Sequence, residues 1–152
     1  MPRKHLGLTR LTGLTALALL FGSLGCASGA AHFAGELPGS RLREMRRFYV
    51  QHQQSDPRDI HLDIQAELRA LGLHVDAGQG PPQEEYDAIV TYVDRYIWDM
   101  TMYCLQLTVY IRDTRTDYVT ATGWSWRPSL VRKTPQGHAR LIFTELFGRA
   151  PQ

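Results

Sequence analysis

The chain has 152 residues, of which 43% are hydrophobic, 21% charged and 10% aromatic, with a formal charge of +2. That length suits one domain, too apolar for a disordered chain and too charged for a multi-span membrane protein. Two cysteines exclude a disulfide-dense scaffold and a four-cysteine zinc site, and the small net charge excludes a strongly basic nucleic-acid binder.

The first residues, MPRKHLGLTR, carry Arg3, Lys4 and Arg10 and no acid, and the next charge is Glu36. The strongly apolar part runs only from Leu14 to Phe21 before Gly22, Ser23 and Gly25. A basic start, a short apolar run and small residues make a secretory signal, whereas a membrane span needs about 20 apolar residues. Ser23-Leu24-Gly25-Cys26 then resembles a bacterial lipoprotein box, with Ser23 standing where the box usually has Leu. The resemblance implies cleavage before Cys26 and acyl chains on it, with the membrane as the partner those chains reach. With Ala27 rather than Asp next in the chain, it also implies the periplasmic face of the outer membrane. The alternative is ordinary cleavage after Ala30. Removing residues 1–25 takes three basic side chains and leaves 14 against 15 acidic ones, so the remainder is nearly neutral and has no composition argument for nucleic acid. Cys104 is then the other cysteine, expected to be a packed, inert thiol.

Residues 26–40, rich in Gly and Ala, read as a lipidated tether, and residues 41–149 as the single domain. Arg46–Gln53 is a first strand candidate. Asp56-Pro57 reads as a helix start, Ile60, Ile64, Leu68 and Leu71 as its apolar stripe, and Gly72 as its stop. A short strand over Leu73–Asp76 follows, then a Gly/Pro loop and a strand over Tyr86–Asp94. Asp94–Asp99 reads as the connection to the next strand. Tyr103–Asp113 alternates apolar and polar residues with period two, and Asp113–Asp117 has hairpin length. Tyr118–Trp126 is its partner, and Thr134-Pro135 opens a last helix that Gly148 ends. The expected fold is α/β of the α+β type. It is a two-layer sandwich with a mixed sheet of four to five strands and two helices on one face, preceded by a signal helix. The stretch from Tyr86 through Trp98-Asp99, Tyr103 and Pro128–Lys133 also resembles small Gram-negative envelope lipoproteins of uncharacterised function, which implies this fold and location but no activity.

Nucleophile-elbow, phosphate-loop and zinc-protease motifs are absent, and the histidines are too scattered in sequence to suggest a metal site, so no catalytic residue, metal or cofactor is expected. Arg95, Trp98 and Asp99 make the most interesting segment; Asp94 and Asp99 could do acid/base work in an envelope hydrolase, although turn capping is the stronger reading. Nine of the fifteen aromatics lie between residues 86 and 126. If Leu105, Leu107 and Val109 face the helices, Cys104, Gln106, Thr108 and Tyr110 face away; Trp124 and Trp126 form another alternate set. Such a face could bind a glycan, a lipid headgroup or an envelope protein. Arg41, Arg43, Arg46 and Arg47 could meet anionic headgroups, although a solvated charged segment is the stronger reading, and Arg127, Arg132 and Lys133 form a second, smaller basic site near the last helix. The expected function is a lipid-anchored, non-catalytic binding or assembly module of the bacterial envelope, with a periplasmic lipid- or glycan-binding protein as the alternative.

Overall fold

The structure, a computed structural model, describes residues 30–148. The signal segment, Cys26 and the last four residues lie outside the described residues. Among the described residues, six strands and two helices follow in order: β1 (Ala31–Glu36), β2 (Arg47–His52), α1 (Ile60–Ala70), β3 (His74–Gln79), β4 (Ala88–Asp99), β5 (Thr101–Asp113), β6 (Val119–Trp126) and α2 (Pro135–Gly148). A single 3-10 turn at Ser129–Val131 joins β6 to α2.

The sheet runs β1-β6-β5-β4-β2-β3. β2 is parallel to β3 and β4, and the other neighbours are antiparallel. The expected α/β class and mixed sheet hold, with six strands rather than four to five. The sixth is β1, drawn from residues expected to be tether: it pairs with β6 from Ala31↔Trp126 to Glu36↔Ala121. Its short, mixed sequence has too few apolar residues to show a period, and its pairing with β6 is what makes it a strand.

One face of the sheet is covered. Phe48, Val50, Val75, Val90, Tyr92, Leu107, Val109 and Ile111 join Ile60, Ile64 and Leu68 of α1 and Ala139, Ile142, Phe143 and Leu146 of α2 in one core. α1 lies over β2 and β3, α2 over β1, β5 and β6. Glu67 ties the helices together, accepting hydrogen bonds from Arg140 and Gln136 at 2.9–3.0 Å. Thr134 Oγ1 accepts the Gly137 amide at 3.1 Å, the expected cap of α2. Gly137 also has a reason: a Cβ there would press on Lys133 at 3.3 Å and Thr134 at 3.4 Å.

β4 and β5 are long, at 12 and 13 residues, and extend past their neighbours as a two-stranded arm. Asp94–Asp99 therefore lies within β4 and is no connection; the chain reverses at Met100, whose φ is +59°. Near the root of this arm β5 carries one extra residue. Gln106 pairs with Arg95 but Cys104 pairs with Tyr96, leaving Leu105 between them. A bulge shifts the side-chain alternation by one. Cys104 is thus on the covered side rather than facing away: its carbonyl oxygen lies 3.2 Å from His138 Nε2 of α2. Burial pushes its thiol up to about 12, which fits the inert reading.

Candidate functional site

Toward β1 and the arm, the uncovered face of the sheet carries three cross-strand rows. Ala31, Trp126, Gln106 and Arg95 form the first; Phe33, Trp124, Thr108 and Val93 the second; Gly35, Thr122, Tyr110 and Thr91 the third. Of the residues singled out in the sequence, Trp124, Trp126, Tyr110 and Arg95 therefore share this face. Phe33 and Val93 are about half exposed on it. Trp124 and Trp126, with Ala31 and Gln106, bound a depression of about 310 Å³. Cross-strand aromatic pairs lend sheets stability, but half-exposed ones beside two tryptophans form a patch that water solvates poorly.

Trp98 and Asp99 are not part of that group, because they lie far out on the arm. Trp98 is 69% exposed, its partner Met102 51%, and Met100 at the tip 87%. Arg132 stacks 4.4 Å from the Tyr103 ring and donates to Thr101 Oγ1 and the Asp99 carbonyl at 2.6 and 2.7 Å, fastening the arm to the turn after β6. Asp94 and Asp99 are five residues apart on one strand, about 16 Å. That separation leaves them unable to converge on one substrate atom.

Strand directions fix which features share an end of the sheet. β4 and β6 run the same way, and β1 runs opposite to β6, so Ala31, Trp126 and the arm all lie at one end. Arg127 and Arg132 are there too. The arginines at 41–47 lie at the other end, beside the start of β2; Arg41, Arg43 and Arg47 are matched by Glu44, Glu36 and Glu84, and the Arg46 guanidinium donates to the Arg43 and Met45 carbonyls.

The arm's end of β2 holds a cluster that the scatter of histidines in the sequence concealed. His52 is the last residue of β2 and His61 the second of α1. The loop between them brings their ring centroids to 4.1 Å, with the planes inclined by 31°. One ligand atom each from His52, Asp56 and His61 lie within 4.8 Å of one another. Asp56, expected as the helix cap, does this from three residues before the Asp59 N-cap: its carboxylate accepts the Arg58 and Ile60 amides at 2.8 and 2.7 Å. Tyr92 Oη donates to it at 2.7 Å. Burial raises the Asp56 carboxyl, but these hydrogen bonds outweigh burial and hold it below the usual aspartate value. Burial and Asp56 push the Tyr92 phenol up. Burial, then the neighbouring His52, lowers His61 against the pull of Asp59 and Asp56, which favours its neutral form.

No protein-family model matches the sequence. No curated protein matches it either. Among solved structures the chain is similar to a PelC dodecamer from Paraburkholderia phytofirmans, with a TM-score of 0.56 and 12% identity over 80% of this chain and 99% of that one. A point-mutant PelC dodecamer from the same organism gives 0.55 and 13% over the same shares. At that identity the likeness is one of fold alone.

Proposed function

We propose that this protein is a lipid-anchored, non-catalytic assembly module of the bacterial cell envelope. Acyl chains on Cys26 hold it at the periplasmic face of the outer membrane, and its aromatic sheet face meets another copy of the chain. The observation that carries the reading is the shared end of Ala31 and the exposed apolar arm. Ala31 follows Cys26 by five positions, a reach of about 17 Å at most. An anchor at Cys26 therefore draws the end bearing Trp98, Met100, Arg127 and Arg132 toward the bilayer, where amphipathic aromatics and cations suit the headgroup layer. Arg41–Arg47 then face away from the bilayer.

The sheet face supports the assembly half of the reading. The depression at Trp124 and Trp126 has four lining residues and does not enclose a ligand, whereas binding sites for lipid or glycan bury most of the ligand surface. A flat aromatic face suits a protein surface, and the similar PelC chains form dodecamers. Two measurements test this. Fatty-acid labelling in cells should vanish in Cys26→Ala; a label that survives removes the anchor. Sedimentation of the detergent-extracted full chain should give several times the mass of one polypeptide, reduced to one by Trp124→Glu; a monomeric wild-type chain removes the assembly.

A further inference from the structure

We propose that His52, His61 and Asp56, with Asp59 closing the solvent side, bind a borderline divalent transition metal ion of the zinc type. His52 Nε2 and His61 Nδ1 each lie 3.9 Å from the same oxygen, Asp59 Oδ1. In a tetrahedral site with bonds of about 2.0–2.1 Å, ligand atoms stand about 3.3 Å apart. These two contacts need to shorten by about half an ångström, while the ligand atoms of His52, Asp56 and His61, within 4.8 Å of one another, draw in by up to about 1.5 Å on ligation. Asp59 is placed for this by its left-handed backbone, φ +56°, a conformation that costs energy for any residue with a Cβ.

The second observation is a deficit. His61 is 8% exposed, and its Nδ1 is buried with no hydrogen-bond partner. Leaving a buried ring nitrogen unpaired is costly, and this one faces a second imidazole and a carboxylate. A cation among them would use the lone pair that nothing else takes up. The surroundings also resemble the outer sphere of a metal site: the Asp56 carboxylate is held by two backbone amides and Tyr92, and His52 Nδ1 lies 3.4 Å from the Gln79 side-chain amide. His52 Nε2–H donates to the Asp56 carbonyl at 3.1 Å. On ligation that proton moves to Nδ1, where the Gln79 amide oxygen accepts it after a flip of the amide. Two neutral imidazoles and two carboxylates balance a divalent charge. Imidazole ligands select zinc, cobalt, nickel or copper over calcium and magnesium, which want oxygen ligands throughout.

The test uses the full chain purified in detergent without a histidine tag and stripped with a chelator. Calorimetric titration with zinc should give one site per chain, and cobalt should give the visible bands of a four-coordinate ion. His61→Phe keeps a ring stacked on His52 and removes the nitrogen; it should abolish both signals. Asp59→Asn, at an exposed position, should weaken zinc binding at least tenfold while circular dichroism stays unchanged. A folded wild-type chain that binds no zinc overturns the proposal. So does zinc binding that folded His61→Phe and Asp59→Asn retain at wild-type strength.

Discussion

Gly123 on β6 sits where the sheet and α2 approach most closely, and replacing it by alanine is a direct test of that packing. It faces the core between Ala34 of β1 and Val109 of β5. A Cβ there would stand 2.4 Å from Ile142 Cγ2, 3.0 Å from Ala34 Cβ and 3.3 Å from the Phe33 carbonyl oxygen. The first contact is more than 1 Å inside the favourable carbon–carbon separation of about 3.5–4.0 Å. Ile142 is fully buried, and in a helix its β-branched side chain has essentially one rotamer, so it cannot turn aside. Overpacking of this kind costs about 1–3 kcal/mol, while losing a glycine from the unfolded chain returns about 0.5–1 kcal/mol. The net expectation for Gly123→Ala is a loss of about 1–2 kcal/mol, or about 4–10 °C in Tm for a domain of this size. Ile142→Leu removes the offending branch at a cost below about 1.5 kcal/mol. In that background the alanine penalty should shrink, giving a coupling of about 0.5–1 kcal/mol in a double-mutant cycle by denaturant unfolding. A stabilising Gly123→Ala, or a penalty unchanged in the Ile142→Leu background, would refute the close approach.

Three other outcomes follow from the geometry. The buried Cys104 thiol should resist alkylation at pH 8 in the folded chain and react promptly in denaturant; equal rates would contradict its place under α2. His138 is fully buried, with Nδ1 3.0 Å from Ser125 Oγ, and burial lowers its pKa below 6.5 despite two hydrogen bonds, helped by Arg127 and Lys133. The unfolded chain therefore takes up this proton first, so stability holds above about pH 6.5 and falls as pH drops below it. The urea midpoint should decline between pH 7 and 5.5 more in the wild type than in His138→Gln, and an equal decline would dismiss the assignment. Arg58 lies 4.0 Å over the Tyr96 ring at the root of the arm, a contact of about 0.5–1 kcal/mol. Arg58→Ala should speed amide exchange in residues 96–103 about two- to fivefold and leave the core strands unchanged; unaltered exchange in the arm would show that the contact does not brace it.

Much of the fold is legible because its signals are local. Period-two alternation marks β5, helical spacing of Ile60, Ile64 and Leu68 marks α1, and Gly72, at φ +81°, ends it. The failures have tertiary causes. β1 exists through pairing with β6, and its six residues carry no period of their own. The arm contradicts the usual strand length of five or six residues, so polar Asp94 and Asp99 resemble a turn. The bulge at Leu105 inverts the side-chain facing beyond it, which no pattern of apolar residues announces. The ligand cluster depends on a loop that folds back through a left-handed Asp59, and spacings of four and five residues between His52, Asp56 and His61 match no local motif. The aromatic face was visible as a composition bias, and strand register decided which tryptophans share it.

The cluster and the arm are mechanically one unit. Tyr92 belongs to β4 just before the arm begins, yet its hydroxyl donates to Asp56, and the Gln53 amide donates to that hydroxyl at 3.4 Å. The Gln53 side-chain amide also bonds the Tyr92 carbonyl, and four residues further along β4 Arg58 covers Tyr96. The loop from β2 to α1 thus grips the strand from which Trp98 and Met100 project. An ion held by His52, His61 and Asp56 would fix the loop and, through Tyr92, the base of the arm. The parallel pairing of β2 with β4 makes this possible, because it sets the carboxyl ends of both strands side by side. An antiparallel β2 would have put the histidines at the far end, among Arg41–Arg47, with no purchase on the arm.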